Sequence, residues 1–505
     1  MAMKRGAGVL MHIASLPGPF GIGVFGEEAL AFAEQLKKQG MTYWQVLPFS
    51  YPGMGNSPYQ SISAFAGNWL FIDPRRLMNR GLLTPEEVVS AEYNVNKWRI
   101  DYDYLRKDRE RLLRKSFERC SDDLKKEVLK FVKESTWADD VALYLAIKDR
   151  YYGRPWWEWD DIKLRDYDSK ALEPIRQTDD YLYHAFVQYL FTTEWADIKA
   201  QINELGIKIV GDMPIYVSGD SSDVWAKRDL FKMNKKKGAK TVFEKVAGVP
   251  PDYFCEDGQL WGNPIYDWEK HEKSGFEWWM TRIAENYKLY DFVRIDHFRA
   301  FSSYWEIPAE AKTAKEGRWV KGPGMAFFRE MDKVFGDSDR LFAEDLGEMT
   351  PDLVEFMKEC GLPGMKVMQF AFNPDDDSFY LPHNFPKNCV AYTGTHDNNT
   401  LLGWLWEAPE RERQECLKYC GFEGGNWGEG GYRSPSCRAI IRTLWQSHAD
   451  VAIIPVQDLL GYGGDTRMNT PGTPTGNWVV RFSNEDLAGI DNDWYYELAR
   501  LYRRL

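Results

Sequence analysis

The chain has 505 residues, 44% hydrophobic, 28% charged and 15% aromatic, which supports a large buried core and room for more than one domain, although α/β barrels with insertions reach this length as one unit. Its net charge of −12 argues against nucleic acid or an anionic membrane as the main partner. No stretch approaches the ~20 apolar residues that a membrane helix requires.

Taken in chain order, eight short apolar runs end in polar or Gly/Pro residues. The first is "GVLMHIA" (8–14). Gly8 and His12 break its apolar character and Pro17 follows, so it reads as a strand and not as a signal peptide. The others are "YWQVLPF" (43–49), "IKIVGDMP" (207–214), "DFVRID" (291–296), "RLFAEDLG" (340–347), "MKVMQFAF" (365–372), "CVAYTGTHD" (389–397) and "VAIIPVQD" (451–458). Helix-like segments separate most of them, among them "GEEALAFAEQLKKQG" (26–40) and "PDLVEFMKECG" (351–361). This alternation implies a parallel sheet, and eight units predict an α/β fold of the (β/α)8 TIM-barrel type, with chemistry at the carboxyl ends of the strands.

Two gaps exceed a simple connection. Residues 50–200 separate the second and third runs and read as a mostly helical insertion; in "DDLKKEVLKFVKES" (122–135), Leu124, Val128 and Val132 recur every four residues. Residues 215–285, rich in Pro, Gly, Trp and Asp, read as a loop-rich insertion walling the cleft. The basic run "NKKKGAK" (234–240) reads as a solvated loop. The whole of 1–505 is expected to be a single catalytic barrel. With the chain ending in "DWYYELARLYRRL", a C-terminal β-sandwich domain is not expected.

The seven cysteines, at 120, 255, 360, 389, 416, 420 and 437, form no C-x-x-C pair. No histidine cluster accompanies Cys416 and Cys420, so free thiols in a reducing, cytoplasmic setting are expected. The aromatic content of 21 Trp, 27 Tyr and 28 Phe has two readings: core packing, or in part a groove for flat amphipathic ligands such as sugar rings.

The strand ends carry the chemistry. In "DFVRIDHFRAF" (291–301), side chains alternate, so Arg294 and Asp296 share one face and Val293 and Ile295 take the other. The pair is expected to point into the barrel. "LFAEDLG" delivers Glu344 with Asp345 facing away, "AYTGTHDNN" delivers Asp397 beside His396, and "IVGDMP" delivers Asp212. Any one such acid could be a turn or cap residue. Together they suit metal binding or glycosyl transfer. Arg294 favours the second, since a guanidinium two residues before Asp296 is expected to keep that carboxylate ionised while another acid in a less polar setting stays protonated. His297 and His396 are candidate hydrogen-bond donors to a bound hydroxyl.

"RIDHFRAF", "AEDLG" and "TGTHDNNT", in that order, resemble the barrel motifs of the 4-α-glucanotransferases, the amylomaltase or disproportionating-enzyme group of glycoside hydrolase family 77. "GNSPYQSISAFAGN" (55–68), "GDMPIYVSGDSSDVW" (211–225), "GVPPDYFCEDGQLWGNP" (248–264) and "GYGGDTRMNTPGTPTGNW" (461–478) are similar to loops of the same group. The resemblance implies Asp296 as nucleophile, Glu344 as general acid and then base, and Asp397 as a stabiliser of the transition state through sugar hydroxyls. It implies Arg294 fixing Asp296, His396 binding the same glucose with His297 near it, and Tyr59 stacking under that sugar. Gln259 and Trp261 would line the acceptor side, and Asn469 would sit on a loop over the cleft. Asp212 matches the first motif of the wider α-amylase clan without the Asn-His ending many amylases carry, a departure shared with the amylomaltases, so a structural role is expected for it.

The implied reaction moves an α-1,4-glucan segment from a donor glucan to the 4-hydroxyl of glucose or a maltooligosaccharide, with retention at both steps. No cofactor or metal is expected, and no D-x-[DN]-x-[DN]-G calcium loop occurs. An α-1,4-glucan hydrolase, a non-catalytic glycan-binding barrel and a metal-dependent barrel enzyme are the rival readings.

Overall fold

The computed structural model describes residues 2–505 except 52, 54, 94, 236–240, 252–255, 337 and 348–349; most of the run 234–240 and Cys255 lie outside the described residues. Each of the eight apolar runs overlaps a strand: β1 (Gly6–Leu10), β2 (Tyr43–Gln45), β3 (Lys208–Met213), β4 (Phe292–Ile295), β5 (Leu341–Ala343), β6 (Gly364–Val367), β7 (Cys389–Tyr392) and β8 (Val451–Pro455). They pair in parallel in the order β6-β7-β8-β1-β2-β3-β4-β5. No ladder joins β5 to β6. The gap is closed instead by the Ala343 N–H donating to Pro363 O at 2.8 Å and by the Met365 N–H donating to Asp345 Oδ1 at 2.6 Å. The barrel is thus nearly closed, and Asp345, turned away from Glu344, fastens its seam.

The strands are shorter than the apolar runs because the polar ends leave the ladder and become the loops over the barrel mouth. Helices surround the barrel. In Glu27–Lys38, Ala29, Phe32, Ala33 and Leu36 are buried at helical spacing, with acids in the first turn and lysines in the last, matching the helix dipole. Thr178 caps the 26-residue helix Asp179–Glu204, which packs on β3, on Glu27–Lys38 and on the helices Asp122–Glu134 and Ala138–Arg150. Val128 and Val132 face inward from Asp122–Glu134, whose N-cap is Ser121. Among the described residues no helix is long and apolar enough to cross a membrane.

The sequence reading missed a second sheet. Gln259–Pro264, Lys245–Val249, Ser303–Pro308 and Arg318–Lys321 form four antiparallel strands in that order. The first two belong to the segment between β3 and β4, and the others to the β4–β5 connection. Gln259 and Trp261 therefore sit on a strand that flanks the mouth, held on one face by its alternation.

One close approach next to the site is built into β3. A Cβ at Gly211 would lie 2.1 Å from the Tyr290 ring, whose hydroxyl accepts the Phe49 N–H at 3.1 Å. Gly211→Ala is expected to lower stability by about 1–3 kcal/mol through overpacking, read as a lower midpoint of thermal unfolding; an unchanged midpoint would show that this approach is not required.

Candidate active site

Arg294 enters the barrel axis from β4 and is almost fully buried. Its Nη1 donates to both oxygens of Asp212, on neighbouring β3, at 2.8 and 2.7 Å, and to Asp296 Oδ1 at 3.0 Å. Its Nε faces Met365 Sδ on β6, beyond the β5/β6 seam, at 3.4 Å. A buried guanidinium without such partners would be strongly disfavoured. Asp212, with no exposed side-chain surface, is the structural anchor that this strand end requires.

The Tyr59 hydroxyl continues the network, donating to Asp212 Oδ2 at 2.9 Å and lying 2.9 Å from His396 Nε2. The two rings stack, with centroids 5.3 Å apart and an interplanar angle of 14°. His396 Nε2 is 3.3 Å from Asp397 Oδ2, and burial lowers its pKa, so the imidazole is neutral at ordinary pH. Asp397 Oδ1 accepts from Asn469 Nδ2 at 2.6 Å, and Arg467 donates to the backbone oxygens of Asp397 and Asn469 at 2.5 and 2.7 Å. The loop carrying Asn469 is thus tied to the end of β7.

Glu344 stands one residue beyond β5 and Asp296 one beyond β4, where Ile295 and Ala343 are cross-strand partners. Glu344 accepts two backbone N–H groups, from His297 at 2.7 Å and Leu346 at 3.1 Å. His297 adopts a left-handed φ of 49°, a conformation uncommon outside glycine and found where the surroundings enforce it. Its ring meets Trp261 edge to face at 4.9 Å, and burial depresses its pKa to about 3. Among the described residues the Nε2 of His297 has no hydrogen-bond partner.

Burial pushes the Asp296 carboxyl up to about 8; Arg294 opposes this, while Asp212, Glu344 and Asp397 add to it. Glu344 is also raised, by burial first, against Arg294 and its two backbone donors. Burial thus favours protonation of both carboxyls, and the Glu344 charge adds to this at Asp296. The expectation that Arg294 keeps Asp296 ionised therefore captures one influence among several: Asp212 takes two of the contacts of Nη1.

All ten candidate residues — Tyr59, Gln259, Trp261, Arg294, Asp296, His297, Glu344, His396, Asp397 and Asn469 — line one open cleft of about 530 Å³. Trp478 also lines it and was not singled out by sequence. Its φ is 65°, and its ring lies 5.7 Å from Tyr59 and 6.0 Å from His396. Only its place in "GTPTGNW" hinted at it. Asp458 was missed too. It is buried just after β8 and accepts from Thr393 Oγ1 at 2.6 Å and from the Leu401 N–H at 2.7 Å, which fixes both ends of the loop that presents His396 and Asp397. Among the described residues no group of three His, Cys, Asp or Glu side chains is arranged to hold a metal ion; the cleft acids meet Arg294, Tyr59, Asn469 and backbone N–H groups.

A parallel eight-stranded barrel whose strand ends gather acids, a buried guanidinium and an aromatic shelf into one cleft defines a carboxylate-centred barrel enzyme. The glycoside hydrolase family 77 profile, described as 4-alpha-glucanotransferase, matches residues 11–487, and the chain belongs to that family. It is 42% identical to a 4-alpha-glucanotransferase of Clostridium butyricum over 98% of this chain and 100% of that one. It is 39% identical to the chloroplastic/amyloplastic 4-alpha-glucanotransferase of Arabidopsis thaliana over 99% and 86%. The solved amylomaltase of Streptococcus agalactiae in complex with acarbose superposes with a TM-score of 0.93 at 37% identity, covering 99% of this chain and 100% of that chain. The protein is an enzyme of the 4-alpha-glucanotransferase type.

Tyr59→Phe removes the hydroxyl that joins Asp212 to His396 and keeps the ring. It is expected to lower kcat/KM roughly tenfold, the worth of one such hydrogen bond, with an unchanged unfolding midpoint; unaltered kinetics would show that the hydroxyl bridge does not serve the reaction.

Proposed function

We propose that this enzyme transfers α-1,4-glucan segments from a donor glucan to the 4-hydroxyl of glucose or a maltooligosaccharide by double displacement, with Asp296 as nucleophile. The observation that supports this most directly is the placement of Asp296 and Glu344 at the same level on adjacent strands, both facing the cleft. Adjacent strands lie about 4.8 Å apart, close to the ~5–5.5 Å separation of carboxyls in retaining glycosidases.

In the first step the proton resides on Glu344 and passes to the glycosidic oxygen as that bond breaks, while Asp296 bonds to the anomeric carbon. Arg294 matches the carboxylate before attack and is left with Asp212 once Asp296 becomes an ester. Asp397 and His396 hold hydroxyls of the sugar whose ring flattens, and Tyr59 lies beneath it. In the second step Glu344, now ionised, takes the proton of the incoming 4-hydroxyl, and that oxygen displaces Asp296. Two inversions give net retention, and protons balance with the side chains alone. Transfer prevails over hydrolysis when Gln259 and Trp261 seat the acceptor faster than water arrives. The free thiols of the six described cysteines fit a cytoplasmic enzyme.

Incubation with maltotriose tests the reaction. A ladder of longer and shorter glucans with constant reducing ends is expected; reducing ends rising with each cleavage would indicate a hydrolase. Asp296→Ala and Glu344→Gln are each expected to lower turnover by several orders of magnitude with folding retained by circular dichroism, and near-normal turnover in either would refute its assigned role. Trp261→Ala is expected to raise the KM for acceptor glucose more than it slows release of the first product; equal losses in both would remove Trp261 from the acceptor side.

A further inference from the structure

Beneath the loop that carries His396 and Asp397 lies a small cavity of about 20 Å³, room for one water. It sits over the ends of the paired strands β1 and β8, between Met11 and His12 on one side and Val456 and Gln457 on the other. Thr395, His396 and Asn398 line both this cavity and the catalytic cleft, and so form the wall between the two. His12 lines the cavity and not the cleft. It stands two residues beyond β1 and is 7% exposed. Its ring is edge-on to Phe71 at 5.4 Å and tilted against Phe49 at 6.2 Å.

The neighbours of His396 locate its proton. Asp212 already accepts from Arg294, so the Tyr59 hydroxyl spends its one hydrogen on Asp212 Oδ2 and offers a lone pair to His396 Nε2, 2.9 Å away. Asp397 Oδ2, the other neighbour of Nε2 at 3.3 Å, is an acceptor too. Nε2 therefore carries the hydrogen, and the neutral ring presents a lone pair at Nδ1. Among the described residues no protein donor meets that lone pair. His12 is neutral as well, its pKa depressed to about 3 by burial first and by His396 second. Its Nδ1 is enclosed without a partner. An enclosed lone pair is tolerated better than an enclosed N–H, which puts the hydrogen of His12 on Nε2. Polar side chains beside the two rings donate elsewhere: Ser15 to Val480 O at 2.7 Å, Thr395 to Asn398 Oδ1 at 2.9 Å and Gln457 to Thr466 O at 3.1 Å.

We propose that His12 is a positioning residue for the transfer reaction, holding His396 in its Nε2–H tautomer through one water in this cavity. The water accepts from His12 Nε2–H and donates to His396 Nδ1. Hydrogens then run one way along the chain, from His12 through the water, His396 and Tyr59 to Asp212, and each link polarises the next. The other tautomer of His396 would turn a lone pair toward the Tyr59 oxygen and the Asp397 carboxylate, and would leave no N–H for a sugar hydroxyl in the cleft. The use of that N–H rests on the role given to His396 above, whereas the tautomer itself does not.

Nitrogen-15 NMR of the full chain, labelled at its seven histidines, reads each tautomer at neutral pH without substrate; His12→Gln and His396→Gln assign the two signals. His12 and His396 are each expected as a single neutral Nε2–H form. His12→Phe is expected to give His396 a mixture of tautomers and to lower kcat for maltotriose roughly tenfold, the worth of one hydrogen bond. His12→Gln, whose amide N–H reaches the same water, is expected to keep the single tautomer and most of the turnover. An Nδ1–H form of His396 in the native chain would overturn the proposal, whether or not the variants fold. So would a single tautomer retained in His12→Phe, or equal turnover losses in His12→Phe and His12→Gln, which would make His12 a packing residue only. The spectra need no turnover, so this proposal can fail while glucan transfer stands, and the reverse.

Discussion

The arrangement depends on one buried cation. Arg294 stands inside the barrel with acids on two adjacent strands, Asp212 and Asp296, against one of its nitrogens. Without the guanidinium, those acids and Glu344 would crowd like charges into a space shielded from water, and without the acids the guanidinium could not be buried. The positions around it follow from this. Asp212 recruits Tyr59, Tyr59 orients His396, and His396 adjoins Asp397, so the chain of contacts reaches from β3 to the loop after β7. What remains is a cleft in which burial raises the pKa of two facing carboxyls, which favours the protonated acid a double displacement needs at its start.

The barrel delivers these groups through its imperfections. The seam between β5 and β6 has no ladder, and Asp345 closes it with a side chain. Because residues alternate, turning Asp345 outward to that task turns Glu344 inward to the cleft. The left-handed turn at His297 likewise aims a backbone N–H at Glu344. Asp458 holds the loop bearing His396 and Asp397 from below, and Arg467 with Asn469 holds it from above.

The barrel was legible because its strands are buried on both faces and read as continuous apolar runs. The ends of those runs overshot the strands because polar strand ends and the loops after them have the same composition. The four-stranded sheet was not legible: "QLWGNP" alternates half-buried and exposed positions over only its first four residues and contains Gly and Pro, and the sheet joins two separate segments of the chain. Alternation placed Arg294, Asp296 and Glu344 on inward faces, but it could not show that Arg294 divides its charge between Asp212 and Asp296. Tyr59, Gln259, Trp261 and Asn469 came from the family resemblance, since nothing in their local pattern marks them. Trp478 and Asp458 depend on long-range contacts that no local spacing reveals. Both readings of the aromatic content hold a share: Trp44, Trp195, Trp279 and Trp445 are in the core, whereas Tyr59, Trp261 and Trp478 line the cleft.

The central claim is that Asp296, held by Arg294, bonds covalently to the donor sugar. The most direct measurement is the mass of the intact chain and of its peptides after reaction with 5-fluoro-α-glucosyl fluoride, which forms the ester readily and releases it slowly. The account predicts one added sugar, located on Asp296. A chain that gains no sugar, or gains it on another residue, would contradict it.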